Sequence, residues 1–466
     1  MDLSKYNPNR EFLLYKTDNG DIKVAYSILQ KCHAVSHPKT NHSMKRIYFL
    51  TLVLGIVMGA MAQKNQLPQQ FSYKKQNSFD TERLKRLDSV FTKLVEAGEI
   101  PHGVTFVAHK GQVVHHKAYG WRNIEKQIPC TTSDYFRMAS QTKAITVVGL
   151  LTLFEEGKFL LDDPIKKYIP EFANPRVIES FNPADSSYTT RPAKTDITIR
   201  HILTHTAGIS YGNQQTRKIF DKAGVPTSPM LSMGDITLAE AVKKLATCPL
   251  EHDPGEKFTY GMGIDVIGYL IEVISGKPID KFLSERIFNP LGMHNTYFNI
   301  PTDKRANLVQ LYQKENNKPL ELNMNNNGLY QYYPYQGKGK LLSTGAGLSG
   351  TIEDYGRFCQ LILNKGEFNG KRILSRKTVE MMAKNNVGNL RGDIGFGLAF
   401  DDFRPQYSYR SIASEGSLRW GGMFGTDYII DPKEELILLF YINLQPNNSG
   451  TDYKTLFHNL VYQALK

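Results

Sequence analysis

Strand-forming sequence in this chain falls into two blocks near its opposite ends, separated by a long, mainly helical interval, so an economical fold must bring the two blocks together. Gly103 to His109 and Gln112 to Tyr119 are rich in β-branched and aromatic residues around Lys110-Gly111, the pattern of a β-hairpin. Far downstream, Gly395 to Phe400, Thr426 to Ile430 and Leu436 to Ile442 return to strand composition, the last two parted by Asp431-Pro432. Between the blocks, apolar residues recur at helical spacing in Ala144 to Phe154, Leu238 to Leu245, Ile264 to Ile274 and Tyr355 to Leu363. Leu84, Leu87, Val90, Phe91, Leu94 and Val95 mark an amphipathic helix that Gly98 ends, and a last helix covers Tyr453 to Leu465. The expectation is an α/β content arranged as α+β: one antiparallel sheet flanked by the terminal helices (about 79–139 and 366–466), a mainly helical lobe (about 140–365), and a cleft between them.

The N-terminal region reads differently. From Met44 the sequence is MKRIYFLTLVLGIVMGAMAQ: two basic residues, an apolar stretch from Ile47 to Ala62, and the small-residue pattern Ala60-Met61-Ala62. That is the layout of a secretory signal peptide, and its apolar run is shorter than the roughly 20 residues that cross a bilayer as a helix. We therefore expect residues 1–43 to be an irregular extension, translation to start at Met44, 44–62 to be a leader, and 63–78 to be a linker. The expected location is the periplasm or the extracellular space, with membrane contact only through an uncleaved leader.

The chain carries 57 Lys/Arg against 45 Asp/Glu, a net charge of +12, and the excess is diffuse. A dedicated nucleic-acid binder gathers its charge into a patch or module, so no nucleic-acid partner is expected. Cys32, Cys130, Cys248 and Cys359 lie far apart, which excludes a zinc ribbon, a C-x-x-C redox site and a disulfide scaffold.

Acyl transfer needs a nucleophile, a group to take its proton, and donors for the oxyanion. A Ser-x-x-Lys pair at a helix N-terminus supplies the first two, because that spacing brings the amine one turn from the hydroxyl. The pattern occurs at Ser36/Lys39, Ser72/Lys75 and Ser140/Lys143, and only the third opens a long helical segment, Ser140 to Glu156. It sits in FRMASQTKAITVVGLL, which resembles the nucleophile segment of serine β-lactamases and penicillin-binding proteins. ITIRHILTHTAGI (197–209), PGEKFTYGMGIDVIGYLIEVISGKPI (254–279), NPLGMHNTYF (289–298), GAGLSGTIEDYGRFCQLILNKG (345–366) and RWGGMFGTDYIIDPKEELI (419–437) resemble that family's later blocks, in its order.

The chain is most similar to the class C β-lactamase-related branch, with its esterases, D-peptidases and DD-carboxypeptidases. The resemblance implies a serine β-lactamase-like fold and an acylated Ser140 assisted by Lys143 and a tyrosine. Tyr211-Gly212-Asn213 and Tyr441-Ile442-Asn443 spell the family's Y-x-N motif, but Tyr260 occupies its place, with Met262 where the family often has Asn. Trp420-Gly421-Gly422 stands where K-T-G is usual, which implies substrate binding there and an oxyanion hole made by the amides of Ser140 and Met423. With Trp in place of a cation, a β-lactam carboxylate loses its usual partner, so ester or D-peptide cleavage is the expected chemistry.

His201 and His205 lie four apart, yet no Glu follows His201, so the H-E-x-x-H pattern fails and neither metal nor cofactor is expected. The strands do not alternate with helices as they do in an α/β-hydrolase. The alternative function is a slowly acylating penicillin-binding or sensing protein of the cell wall using the same pocket. The expected substrate is a small molecule, a peptide or a peptidoglycan fragment. Tyr330, Tyr332, Tyr333 and Tyr335 are candidates to line the cleft.

Overall fold

The computed structural model describes residues 79–466, apart from 213–215, 227–228, 317, 336 and 404–410. The expected leader and linker, Cys32 and two of the three Ser-x-x-Lys pairs lie outside the described residues.

An eight-stranded antiparallel sheet joins the two ends of the chain. Its strands are β1 (His102–His109), β2 (Gln112–Asn123), β3 (Ile128–Pro129), β4 (Ile394–Phe396), β5 (Asp401–Phe403), β6 (Leu418–Gly421), β7 (Asp427–Asp431) and β8 (Leu436–Tyr441), in the spatial order β4-β5-β6-β7-β8-β1-β2-β3. The seam between the blocks is β1 against β8, with Val104 opposite Tyr441 and Phe106 opposite Leu439. Lys110 and Gly111 both take positive φ, 51° and 71°, as a tight hairpin turn requires.

The principal helices are α1 (Thr81–Glu96), α2 (Thr142–Glu155), α3 (Ile199–Leu203), α4 (Leu238–Ala246), α5 (Gly263–Ser275), α6 (Leu329–Tyr332), α7 (Ile352–Leu363) and α8 (Tyr453–Tyr462). The sheet is covered on both faces, which explains why β8 reads LILLFY without alternation. Leu436, Leu438 and Phe440 pack with Leu87 and Phe91 of α1 and Phe457 of α8. Ile437, Leu439 and Tyr441 face the larger core with α2 and α7. Helix α2 is buried on every side from Thr142 to Leu153, as its all-round apolar sequence demands.

Some boundaries differ from the sequence reading. The strand expected over Gly395 to Phe400 ends at Phe396: residues 397–400 form a turn closed by the Gly397 amide on the Phe400 carbonyl at 2.8 Å, and β5 begins at Asp401. The long helix begins at Thr142, not Ser140, and Ala139–Gln141 form a separate 3-10 turn. A hairpin, Arg176–Phe181 with Tyr188–Pro192, interrupts the helical interval; its largely exposed residues carry little apolar signal.

Helix α8 is tied to the sheet by His458 Nε2 and Asp427 Oδ2, 2.7 Å apart and both buried. His458→Ala would leave Asp427 with the more distant cations Arg419, at 4.0 Å, and Lys454. We expect a loss of about 3 kcal/mol, read from chemical denaturation midpoints at neutral pH.

Candidate active site

Ser140 lies where the nucleophile strand ends and α2 has not yet begun. Its predecessor Ala139 is held at φ +46°, a left-handed conformation that costs a non-glycine residue about 1–2 kcal/mol. The surroundings hold that turn in place. Met138 donates its amide to the Leu348 carbonyl at 2.9 Å, and its own carbonyl accepts from Thr426 Oγ1 at 3.1 Å. Gln141 is gripped from below, its side-chain oxygen accepting from the Tyr441 hydroxyl at 2.6 Å and its carbonyl from the Tyr355 hydroxyl at 3.1 Å. Ser140 is half-buried while its neighbours on both sides are fully buried, so the hydroxyl is the part of the turn that solvent reaches.

Lys143 sits one turn along, buried beneath the hydroxyl. Its Nζ lies 3.3 Å from Ser140 Oγ, 2.8 Å from the Tyr211 hydroxyl and 2.7 Å from the Gly345 carbonyl. An ammonium has three hydrogens, and three acceptors surround it. The carbonyl can only accept, whereas the two hydroxyls can each give or take a proton. The same heavy-atom arrangement therefore serves an ammonium and a neutral amine, and a proton can leave Ser140 without any group moving. Burial works against the ammonium, but the phenols of Tyr211 and Tyr260 and the Asp265 carboxylate outweigh it and hold the Lys143 pKa above the ordinary lysine value. Burial likewise raises the pKa of the Tyr211 phenol, so that pair rests as ammonium and neutral phenol.

The three tyrosines weighed from the sequence separate clearly. Tyr441 belongs to β8 and serves the core through Gln141. Tyr211 bonds Lys143 directly, and its motif partner Asn213 lies outside the described residues. Tyr260 presents its ring to Lys143, with Nζ 4.8 Å from the centroid, and its hydroxyl oxygen accepts from Trp420 Nε1 at 3.2 Å. The indole N–H of Trp420 is thus engaged by Tyr260, while its ring joins an aromatic wall with Tyr260 and Phe396 at centroid distances of 5.2 and 5.5 Å. Tyr211, Tyr260 and Trp420 are all half-buried.

His201 and His205 have different tasks. His201 completes a capping box with Thr198 at the start of α3. His205 takes φ +55° in the turn that follows and packs against Tyr260, the ring centroids 4.6 Å apart and the planes tilted by 58°; burial first, then the charges of Lys143 and Arg391, lower its pKa well below the usual imidazole value.

The glycines after Trp420 are required by packing. A Cβ on Gly422 would fall 2.2 Å from the Met138 carbonyl, so β6 passes directly against the nucleophile turn. That contact brings the half-buried Met423 beside Ser140's turn. Met423 therefore lies beside the turn that carries the Ser140 amide, the two residues that the family resemblance pairs as an oxyanion hole. Next to them lies an apolar cluster of Ala139, Leu231, Leu311, Leu329, Tyr333 and Phe424, with Met233, Tyr330 and Met423 at its rim. Tyr330 and Tyr333 pack on Phe424, at 5.6 and 6.4 Å, so these two of the four clustered tyrosines reach the site's border, whereas Tyr332 and Tyr335 pair with each other.

A serine hydroxyl over a buried amine with flanking phenols is the arrangement that serine acyl transfer requires. The family model described as Beta-lactamase matches residues 87–463. The chain belongs to the beta-lactamase family. It is a serine hydrolase of β-lactamase-like fold, and this beta-lactamase family includes esterase, acyltransferase and carboxypeptidase relatives. Esterase EstB from Burkholderia gladioli is 26% identical over 77% of this chain and 90% of its own length. A putative D-alanyl-D-alanine carboxypeptidase from Escherichia coli K12 is 26% identical over 88% of this chain and 93% of its own. Among solved structures, EstCE1, a hydrolase with promiscuous acyltransferase activity, superposes with a TM-score of 0.69 at 23% identity, covering 82% of this chain and 99% of its own.

Two participants were missed in the sequence: the Gly345 carbonyl and the Asp265 carboxylate. Backbone carbonyls leave no side-chain signature, and Asp265 reads as an ordinary acidic residue in the first turn of a helix. As a test of the close contact at β6, Gly422→Ala should displace the Met138–Ser140 turn and lower kcat/KM by about 100-fold, with the circular dichroism spectrum unchanged.

Proposed function

We propose that this protein is an exported serine hydrolase that cleaves an ester carrying an apolar acyl group through an acyl-enzyme on Ser140. The observation that carries the reading is a half-exposed hydroxyl 3.3 Å from the amine of a buried lysine. In the proposed reaction the Lys143–tyrosine pair, having first released one proton to solvent, takes the Ser140 proton as Ser140 Oγ bonds to the substrate carbonyl carbon. The Ser140 and Met423 amides receive the developing oxyanion. Collapse of the tetrahedral intermediate breaks the bond to the leaving alcohol, which takes the proton, and water later releases the acid by the reverse sequence.

Of the two phenols, Tyr260 is the better proton carrier. The Trp420 N–H donates to its oxygen, which leaves its own O–H to turn toward the substrate. Tyr211 holds Lys143 in place. The apolar rim of Met233, Tyr330 and Met423 suits an acyl chain, and Trp420 offers no charge to a substrate carboxylate. The relatives named EstB and lovastatin esterase agree with ester chemistry. The relative named as a D-alanyl-D-alanine carboxypeptidase supports a second reading, attack on a D-peptide or peptidoglycan fragment, in which slow deacylation would make the protein a penicillin-binding sensor. Export rests on the leader-like layout of residues 44–62; N-terminal sequencing of the mature protein should find a chain beginning after Ala62.

Incubation with a nitrophenyl ester and a fluorescent penicillin separates the two readings: ester turnover without a stable penicillin adduct is expected, and a lasting adduct without turnover would favour the sensor. Ser140→Ala should abolish both turnover and labelling by a fluorophosphonate; labelling that persists would place the nucleophile elsewhere. Tyr260→Phe should lower kcat by about 100-fold and Tyr211→Phe by about 10-fold, measured with the same ester.

A further inference from the structure

Helix α5 carries a buried carboxylate at the edge of the site. Asp265 is fully buried, and its Oδ1 accepts from Ser343 Oγ at 2.8 Å and from the Gly345 amide at 3.0 Å. Its second oxygen, Oδ2, has no hydrogen-bond partner, and among the described residues no ion pair reaches the carboxylate. The turn it holds is the one whose Gly345 carbonyl accepts from Lys143 at 2.7 Å. A Cβ on Gly345 would fall 2.6 Å from Oδ2, so the turn rests directly on the carboxylate and only glycine fits.

Ordering that turn does not require a charge. An asparagine oxygen would accept the same two bonds, and a carboxylate left with an unpaired oxygen in the interior costs several kcal/mol. Burial pushes the Asp265 carboxyl up, the Gly345 amide, Lys143 and Ser343 work against that push, and Lys143 is the nearby cation that favours its charged form. The other titratable groups facing Lys143 are Tyr211 from the loop after α3, Tyr260 from the loop before α5, and His205 from the turn ending α3, with Arg391 acting on His205 from behind. Burial favours the neutral form of the Tyr211 phenol and of the His205 imidazole, and Asp265 is the carboxylate in that set.

We propose that Asp265 is the fixed counter-charge of Lys143 and a positioning residue for it, acting through the Ser343–Gly345 turn; this rests on the acyl-enzyme reading given above. Asp265 keeps the amine charged at rest and directs one of its N–H bonds to Gly345, so that its other two contacts remain the exchangeable ones with Ser140 and Tyr211. The carboxylate takes no proton in the cycle and touches no substrate.

The experiment measures the pH dependence of the second-order rate constant for fluorophosphonate labelling of Ser140 in wild type, Asp265→Asn and Ser343→Ala, each as the full chain. Asn keeps the acceptor oxygen and removes the charge; Ser343→Ala removes the hydroxyl's bond to Asp265 and the bond it accepts from the Ala346 amide, and keeps the charge. Loss of a neighbouring negative charge lowers the pH at which an ammonium releases its proton, so in Asp265→Asn one limb of the profile should move to lower pH by about one unit or more, while Ser343→Ala leaves both limbs in place. An Asp265→Asn profile that superimposes on wild type after scaling for active fraction overturns the proposal. Should Asp265→Asn not fold, Lys143→Met/Asp265→Asn decides: recovery of folding in the double variant supports the charge pairing, and failure of both assigns Asp265 to the fold alone and overturns it. Absence of Ser140 labelling in wild type would instead refute the acyl-enzyme reading itself.

Discussion

A lysine carried into a protein interior must find a partner for every N–H it brings, and around Lys143 that requirement organises the site. One N–H goes to the Gly345 carbonyl and the others to the hydroxyls of Ser140 and Tyr211. The helix that carries Lys143, the loop that carries Tyr211 and the turn at Gly345 are far apart in sequence, so satisfying one ammonium draws three segments to a point. The segment at Ser343–Gly350 answers by binding the nucleophile strand as well: Leu348 pairs with Met138, and Thr344 accepts from Thr146 of α2.

A second constraint is steric. Strand β6 can reach the nucleophile turn only because Gly422 has no side chain to strike the Met138 carbonyl. The sheet thereby delivers the Met423 amide to the neighbourhood of Ser140, and the helical interval delivers the amine. Neither half of the chain holds the set of groups by itself. Behind the turn, Arg137 is fully buried and donates to the carbonyls of Val309 and Gln331 and to the Asn443 side chain, fastening the strand before Ser140 to three further segments. The strained φ of Ala139 is tolerated because so many contacts on either side determine it.

Much of this was legible in the residues. Periodicity located α1, α2, α4, α5, α7 and α8, and composition located the hairpin β1–β2 and strands β7 and β8, because those elements bury apolar side chains in regular order. The helix start at Thr142 was not legible, since a 3-10 turn and a first α-helical turn have the same composition. At the site, Ser140 and Lys143 were readable because they share one local pattern. The relation of Tyr211 to Tyr260 was not, because which phenol bonds the amine depends on how the loop after α3 folds back over the site, a long-range fact that local spelling does not encode. The glycine pair was read as room for a substrate, and the space at Gly422 turns out to be filled by the protein's own backbone.

The seam between β1 and β8 has a consequence for synthesis. Residues 102–109 wait for residues 436–441 before their sheet can close, and Met423 arrives only with that same final portion. A ribosome extending this chain from its N-terminus releases Ser140 and Lys143 early but completes their surroundings at the very end. On the acyl-enzyme reading, the groups proposed to act together on an ester are gathered only once the last strands have been made.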